Sequence, residues 1–205
     1  MQARRKTIAK LIAVVFVFNL VVMGTGAWLA YEEAPPIPEQ VVGPDGDIVV
    51  TGQEIRDGKR TFQRNGPMNH GSLLGNGAYY GADYTADALE LKIQHMRDYY
   101  ARERHGESYA DLPSERQAAI ADVVEQDLDE PYEGSEIRYS AAELYAHEQV
   151  RETYVQRYHQ GSHERGVGAG MIDSASDARQ FGDFALWTAW FSHTDRLGGG
   201  VGRPL

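Results

Sequence analysis

Met68, His70, His147, His159 and His163 are the neutral side chains of this 205-residue chain best suited to hold a metal, and no cysteine stands beside them. Without a thiol there is neither a disulfide nor a thioether to a haem, so covalent c-type haem attachment is excluded. Met68 and His70 remain potential iron ligands, but nothing anchors a porphyrin to them, and a plain polar loop is the simpler reading. The run His147-Glu148-Gln149-Val150-Arg151 imitates a metalloprotease helix only in part, because Arg151 stands where the second histidine belongs. His159 and His163 are four apart, but Gly161 between them ends a helix, which favours solvated surface histidines over a zinc pair. There is no nucleophile elbow, phosphate loop or dinucleotide fingerprint.

Those residues are arranged around residues 66–85, which hold Gly66, Gly71, Gly75, Gly77 and Gly81 interleaved with Tyr79, Tyr80 and Tyr84. Glycines at this density let the backbone lie close against another surface. The tyrosines add flat area with a hydroxyl tip that needs a partner. Two readings stand: a tight connector between helices, or a surface that docks on something.

The elements that position this loop can be read in chain order. Residues 11–30 are almost continuously apolar, interrupted by Asn19, Thr25 and two glycines. About 20 helical residues span roughly 30 Å, the thickness of a hydrocarbon core. Arg4, Arg5, Lys6 and Lys10 precede the run, and Glu32 and Glu33 follow it, so the expected topology keeps the N-terminus cytoplasmic and sends residue 32 onward outside. Trp28-Leu29-Ala30 is a poor signal-peptidase site, and the run exceeds a signal-peptide core, so a retained anchor is expected. Asn19 is open to two readings: a helix–helix contact or a tolerated polar residue.

Residues 32–205 hold all 30 acidic residues but 16 of the 20 basic ones, and beyond the anchor lysine occurs only as Lys59 and Lys92. Such a surface repels nucleic acid. It fits a halophilic source or an acidic docking face, and composition does not separate the two.

A Pro-rich exit leads into a hairpin, Val41-Val42 and Ile48-Val49-Val50 flanking Gly-Pro-Asp-Gly. Thr51 and Glu54 form a capping box for a helix to about residue 64, with Ile55 and Phe62 inward. Thr85 is expected to cap a longer helix whose apolar stripe is Leu89, Ile93, Met96 and Tyr100. A third helix follows Pro113, with Ile120, Val123 and Val124 inward. Residues 127–134 are expected to form an acidic turn broken by Pro131. Ser140 and Glu143 open a helix presenting Leu144, Val150, Tyr154 and Tyr158, ended by Gly161. The last helix runs from residue 174 to about 193 with Phe181, Phe184, Leu186, Trp187, Trp190 and Phe191. Its Asp183, Thr188 and His193 make it too polar to span a membrane, and its aromatics need a cover. The fold class is mainly α: one transmembrane helix, then a helical exterior domain with a short β-hairpin.

Residues 65–89 resemble the cytochrome-c-like segment of respiratory nitric oxide reductases, above all the quinol-dependent single-chain form. The likeness extends to Ala34-Pro-Pro-Ile-Pro-Glu-Gln-Val-Val, the Thr51-Gly52 helix start and Trp187-Thr-Ala-Trp190. In haem-bearing relatives a Cys-x-x-Cys-His motif precedes the Leu-Leu-Gly-x-Gly-Ala-Tyr-Tyr block. Here its cysteines fall on Pro67 and His70 and its ligand histidine on Gly71. The resemblance therefore implies a haem-less, cytochrome-c-like domain. It implies docking of Gly75, Gly77, Tyr79, Tyr80, Trp187 and Trp190 on a catalytic core. Relatives use the equivalents of Gly77 and Tyr79 near a calcium ion and the core's haem propionates; here docking is expected in place of a metal site.

The family's reaction turns two nitric oxide molecules into nitrous oxide in denitrification, with quinol as electron donor. It belongs to a haem-copper-oxidase-like core with b haems and a non-haem iron, and none of that core's segments occurs in these 205 residues. The expected chain is thus the anchor and exterior domain of such a reductase, from a truncated or split gene. It has no cofactor or catalytic residue of its own, and its partners are that core and membrane lipid. The expected divisions are a basic tail (1–10), the anchor (11–31), a linker and hairpin (32–52), the exterior domain (53–195) and a glycine-rich tail (196–205). The alternative is a membrane-anchored partner-binding module with no catalytic core.

Overall fold

The computed structural model describes residues 2–32, 37–78, 81–128 and 135–193. The chain divides into two units, residues 1–36 and 37–205. The first is one helix, α1 (Gln2–Glu32). Its stretch Lys6–Leu29 has a mean hydropathy of 2.2 and is long and apolar enough to cross a membrane. The Asn19 amide donates to the Val15 carbonyl at 2.8 Å, so its polarity is absorbed by the helix's own backbone.

In the second unit, β1 (Gln40–Val42) pairs antiparallel with β2 (Ile48–Thr51), as the hairpin signal predicts. Thr51 then caps α2 (Gly52–Arg64) by a complete capping box with Glu54. After α2 come the one-turn α3 (Pro67–His70), a miniature hairpin of β3 (Ser72–Leu73) and β4 (Asn76–Gly77), and the long α4 (Tyr84–His105). α5 (Ser114–Leu128) follows Pro113 with Ile120 and Val124 buried and Val123 half-buried. The expected acidic turn lies largely outside the described residues. Beyond it β5 (Glu136–Arg138) adds parallel to β1, giving the sheet order β2-β1-β5.

The second capping box also forms, Ser140 and Glu143 opening α6 (Ala141–Tyr154). Its end widens into a π-helical turn, Val155–Gln160, before Gly161 stops it. Ser174 accepts from the backbone N–H groups of Ser176 and Asp177 at the start of α7 (Ala175–His193). The described architecture is mainly α.

α7 is the helix on which the others close. Phe181, Phe184, Ala185, Leu186 and Ala189 are all buried in the main core. Gly58 marks the crossing of α2 and α7: a Cβ there would fall 1.8 Å from the Gln180 carbonyl oxygen, so only glycine permits this approach. Phe62, Tyr84, Tyr154, Tyr158 and Phe181 interlock with ring centroids 5.0–6.0 Å apart. A second cluster gathers Met96, Leu112, Ile120 and Val124 with Ala101, Ala142 and Ala146.

Three expectations change. Asp83, not Thr85, caps α4, because its carboxylate accepts from the Thr85 and Ala86 N–H groups. The buried stripe of α4 is Tyr84, Ala88, Lys92 and Met96, whereas Leu89, Ile93 and Tyr100 lie half-buried on its flank. A lysine can occupy that stripe because Nζ of Lys92 donates to Glu143 Oε1 at 2.6 Å and lies 4.6 Å from the centre of the Tyr139 ring. Burial alone would push the Lys92 pKa down; the Glu143 charge outweighs it, the net shift is upward, and the ammonium stays charged. Glu143 thus caps α6 through Oε2 and neutralises Lys92 through Oε1.

The third concerns Asp183 and Thr188, expected to be polar interruptions of α7. They are 3% exposed each and both are partnered. Asp183 Oδ1 accepts from His147 Nε2 (2.8 Å) and Arg151 Nε (2.6 Å), and Oδ2 from Arg151 Nη2 (3.1 Å). Arg151 also donates to the Val49 carbonyl on β2.

Replacing Glu143 by Ala removes a cap and strands a buried ammonium, and is expected to cost about 3–5 kcal/mol. The pair Lys92→Met with Glu143→Gln, which keeps the cap without the charges, is expected to recover most of that loss. Urea unfolding of both variants checks the ordering.

Candidate functional site

The glycine-rich stretch folds as a hairpin held from below. Gly66, at φ +93°, turns the chain into α3, and Pro67 is buried beneath it. Ser72 pairs with Gly77 and Leu73 with Asn76, which leaves Leu74 and Gly75 as a two-residue turn, φ +54° and +74°. Asp83 Oδ2 accepts from the Gly75 N–H (2.5 Å) and the Ser72 hydroxyl (3.0 Å), while Oδ1 caps α4. One carboxylate therefore joins the hairpin to a helix start. A second line of hydrogen bonds runs inward. The Leu74 N–H donates to Thr85 Oγ1 (3.2 Å), that hydroxyl to Thr188 Oγ1 (3.1 Å), and Thr188 to the Ala185 carbonyl (2.7 Å).

Of the residues singled out from the sequence, Gly75 and Gly77 lie on the exposed hairpin, with Gly77 pressed so close that a Cβ would meet the Gly71 carbonyl oxygen at 2.7 Å. Tyr79 and Tyr80 lie outside the described residues. Trp187 and Trp190 are partly buried against the domain's own core, and the Trp187 ring stacks on Phe184 (5.8 Å, 23°) and meets Phe191 (5.3 Å). Asp83, Thr85 and Thr188, which hold the hairpin, were not among the expected docking residues. The signal available for Asp83 is an N-cap aspartate two residues before Thr85; the pairing of Thr85 with Thr188, 103 residues on, has no local signature.

The fit to a c-type haem fails on the residues present. No cysteine exists to anchor it. Met68 and His70 are both exposed on α3. At Gly71, where the family's ligand histidine falls, a Cβ would lie 2.6 Å from the Tyr84 ring and 2.5 Å from the Ala82 carbonyl oxygen. Tyr84 is fully buried and donates its hydroxyl to the Pro67 carbonyl at 2.9 Å. Its ring occupies the space a ligand side chain at position 71 would enter. Beside it lies an open cavity of about 360 Å³ floored by Tyr84 and Tyr158, with His70, Glu164 and Arg165 at its wall. Arg165 is engaged there, donating to Asp87 Oδ1 at 3.0 Å alongside Arg157.

His159 and His163 do not form a pair: His159 contacts the Ile172 carbonyl through Nδ1 (3.0 Å), and His163 lies exposed in the next turn. Among the described residues no three His, Asp or Glu side chains gather as a metal cage. His147 and Arg151, one helical turn apart, both grip Asp183.

The fold and site together define a helical module whose exposed feature is a backbone hairpin, with aromatic rings packed where a cofactor's ligand would project. Residues 38–202 match the family of the NorB cytochrome c-like domain of nitric oxide reductase, and the chain belongs to that family. A comparison with curated proteins finds no match.

Asp83 and Asp183 are both subject to burial that raises a carboxyl pKa. In each, hydrogen bonds outweigh it — from Gly75, Ala86, Ser72 and Thr85 for Asp83, from His147 and Arg151 for Asp183 — and the pKa falls below its usual 3.8. A depressed folded-state pKa contributes stability that is complete above the unfolded value and lost as pH falls through the folded one. The urea midpoint is therefore expected to hold steady down to about pH 4 and to drop below it, with a shallower drop in Asp83→Asn.

Proposed function

We propose that this chain is the membrane-anchored N-terminal part of a quinol-dependent nitric oxide reductase, and that it works as a docking domain without a redox centre. The observation that carries the reading is the Gly71–Tyr84 contact: a cytochrome-c-like scaffold has its ligand position closed by a packed ring, and no cysteine is present. Electrons from quinol then reach the reductase's core without passing through this domain. The chemistry, two nitric oxide molecules with two electrons and two protons giving nitrous oxide and water, takes place at b haems and non-haem iron held outside these residues.

In this reading α1 anchors the chain with its basic N-terminus (1–10) cytoplasmic, residues 32–52 lead out of the bilayer, and the exterior domain (53–195) covers the outer face of the core. Gly75, Gly77, Tyr79, Tyr80, Trp187 and Trp190 form the contact, and the domain helps seal the path above the haems. The uncharged hairpin supports this, since interface centres are depleted of charge.

The test is purification of the tagged full chain from its native membrane, followed by a visible spectrum and identification of what comes with it. Co-purification of a multi-helix b-haem protein is the expected result, with no Soret band from the chain separated from it. A Soret band from the chain alone overturns the haem-less reading. A soluble partner with no b-haem core favours the binding-module alternative.

A further inference from the structure

α2 turns one side inward, with Ile55, Gly58, Thr61 and Phe62 buried. Its outer side carries Arg56, Lys59, Arg60 and Arg64, all exposed and gathered within about 140° of arc at about 3.6 residues per turn. These are four of the 16 basic residues in positions 32–205, and the next one along the chain is Lys92. Arg60 pairs with Asp57 one turn back. Arg56, Lys59 and Arg64 meet no carboxylate among the described residues. Elsewhere in the domain Lys92, Arg151, Arg157, Arg165 and Arg179 are each spent on one. α5 is the opposite case, with Glu115, Asp122, Glu125 and Asp127 against Arg116 alone. A domain with an acidic excess thus carries a helix face of concentrated, uncommitted positive charge.

Such a face attracts an anionic surface, and chain connectivity says which one is at hand. α1 ends at Glu32 and the second unit begins at Ile37, so the apolar helix and the domain are separated by at most about 18 Å of fully extended chain. α2 starts beside that entry point. The Gly52 N–H donates to the Glu39 carbonyl at 2.8 Å, and a Cβ on Gly52 would lie 2.3 Å from the Pro38 carbonyl oxygen. With α1 in a bilayer, the domain is held near the headgroup layer at high effective concentration. The tether leaves its orientation open, and charge selects it, because anionic headgroups attract α2 and repel α5. The attraction is electrostatic alone. The apolar side of α2 is committed to α7, where Gly58 abuts the Gln180 carbonyl, so the helix does not insert. An acidic protein would suit the same charge, but it must be recruited, whereas the bilayer is tied to the domain by the chain itself.

We infer that the outer face of α2 rests on anionic phospholipid headgroups, held by Arg56, Lys59 and Arg64. The inference rests on the reading of α1 as a membrane anchor given above, and it adds the lipid class and the residues that meet it.

The experiment places the full chain in nanodiscs of phosphatidylcholine alone or of phosphatidylcholine with phosphatidylglycerol, each doped with a phosphatidylcholine spin-labelled at its headgroup. The chain has no cysteine, so Gln63→Cys on the outer side of α2 and Gln126→Cys on α5 each accept a single fluorophore. Quenching at position 63 is expected to be about threefold or more stronger in the discs with phosphatidylglycerol. That gain is expected to vanish at about 1 M salt, where the screening length is about 3 Å. Position 126 is expected to show no gain. Arg56→Gln combined with Lys59→Gln and Arg64→Gln, all at exposed positions, is expected to abolish the gain at position 63 with an unchanged thermal midpoint. If quenching at position 63 is equal in both discs, or the triple variant keeps the gain, the lipid contact is overturned and the anchor stands. If position 63 is unquenched in both discs but shielded from aqueous iodide by an added b-haem core, its partner is a protein and the inference is overturned. If the chain enters discs of neither composition, the anchor reading falls and the lipid contact with it.

Discussion

Asp183 is an ionised carboxylate inside the central helix of the domain, and the fold is arranged so that this charge is never alone. A buried carboxylate without partners would cost several kcal/mol or take up a proton. Two residues one turn apart on α6, His147 and Arg151, converge on it, and Arg151 carries the connection on to the backbone of β2. Sheet, α6 and α7 are thereby locked in one arrangement by directional bonds. Apolar packing alone tolerates rearrangement more readily. Thr188, five residues further along α7, does the same for the hairpin through Thr85. The central helix is thus mainly apolar in its packing and polar at two buried points, Asp183 toward α6 and Thr188 toward α4, and through those two points the sheet and the hairpin are also held.

The aromatic interior follows from the same economy of space. In this chain Phe62, Tyr84, Tyr154, Tyr158 and Phe181 interlock edge to face and stacked between α2, α4, α6 and α7. Each such ring buries about 150–250 Å², and close-packed interiors do not tolerate an empty volume of that size. Tyr84 has a double part in this. Its ring fills space beside Gly71, and its hydroxyl satisfies the Pro67 carbonyl at the base of the loop. One side chain thus both closes the space beside Gly71 and ties down the base of the loop.

Much of this is legible from the chain alone wherever the determinant is local. Both capping boxes, Thr51/Glu54 and Ser140/Glu143, declare their helices because their two halves lie three residues apart. The β1–β2 hairpin is announced by its turn, and α1 by its length of apolar residues. What escapes is decided across the fold. Lys92 sits in an apolar stripe, and nothing near it in sequence shows that Glu143 waits 51 residues away. β5 is too short to stand out, and it is a strand only because β1 offers an edge. The exchange of Thr85 for Asp83 as cap has a similar cause: both can cap, and Thr85 is drawn inward by Thr188. Between His159 and His163 the helical phase is broken by Gly161, which the sequence shows, and by a π-helical turn, which it does not.

The candidate site shows why an uncharged loop can be an ordered one. With no charged residue between positions 66 and 82, the loop has no ion pair with which to fasten itself. Its glycines also raise the entropy that ordering must overcome. The fastening is supplied from the loop's edge and from beneath it: Asp83 at the junction with α4, Thr85 on α4 and Tyr84 between them. These are three consecutive residues, and successive side chains at a helix start diverge in direction. Asp83 turns to the hairpin, Tyr84 into the aromatic core, and Thr85 toward α7. The hairpin's outer surface is left free of the groups that hold it, so it can be given over to contact while its shape is maintained from the inside.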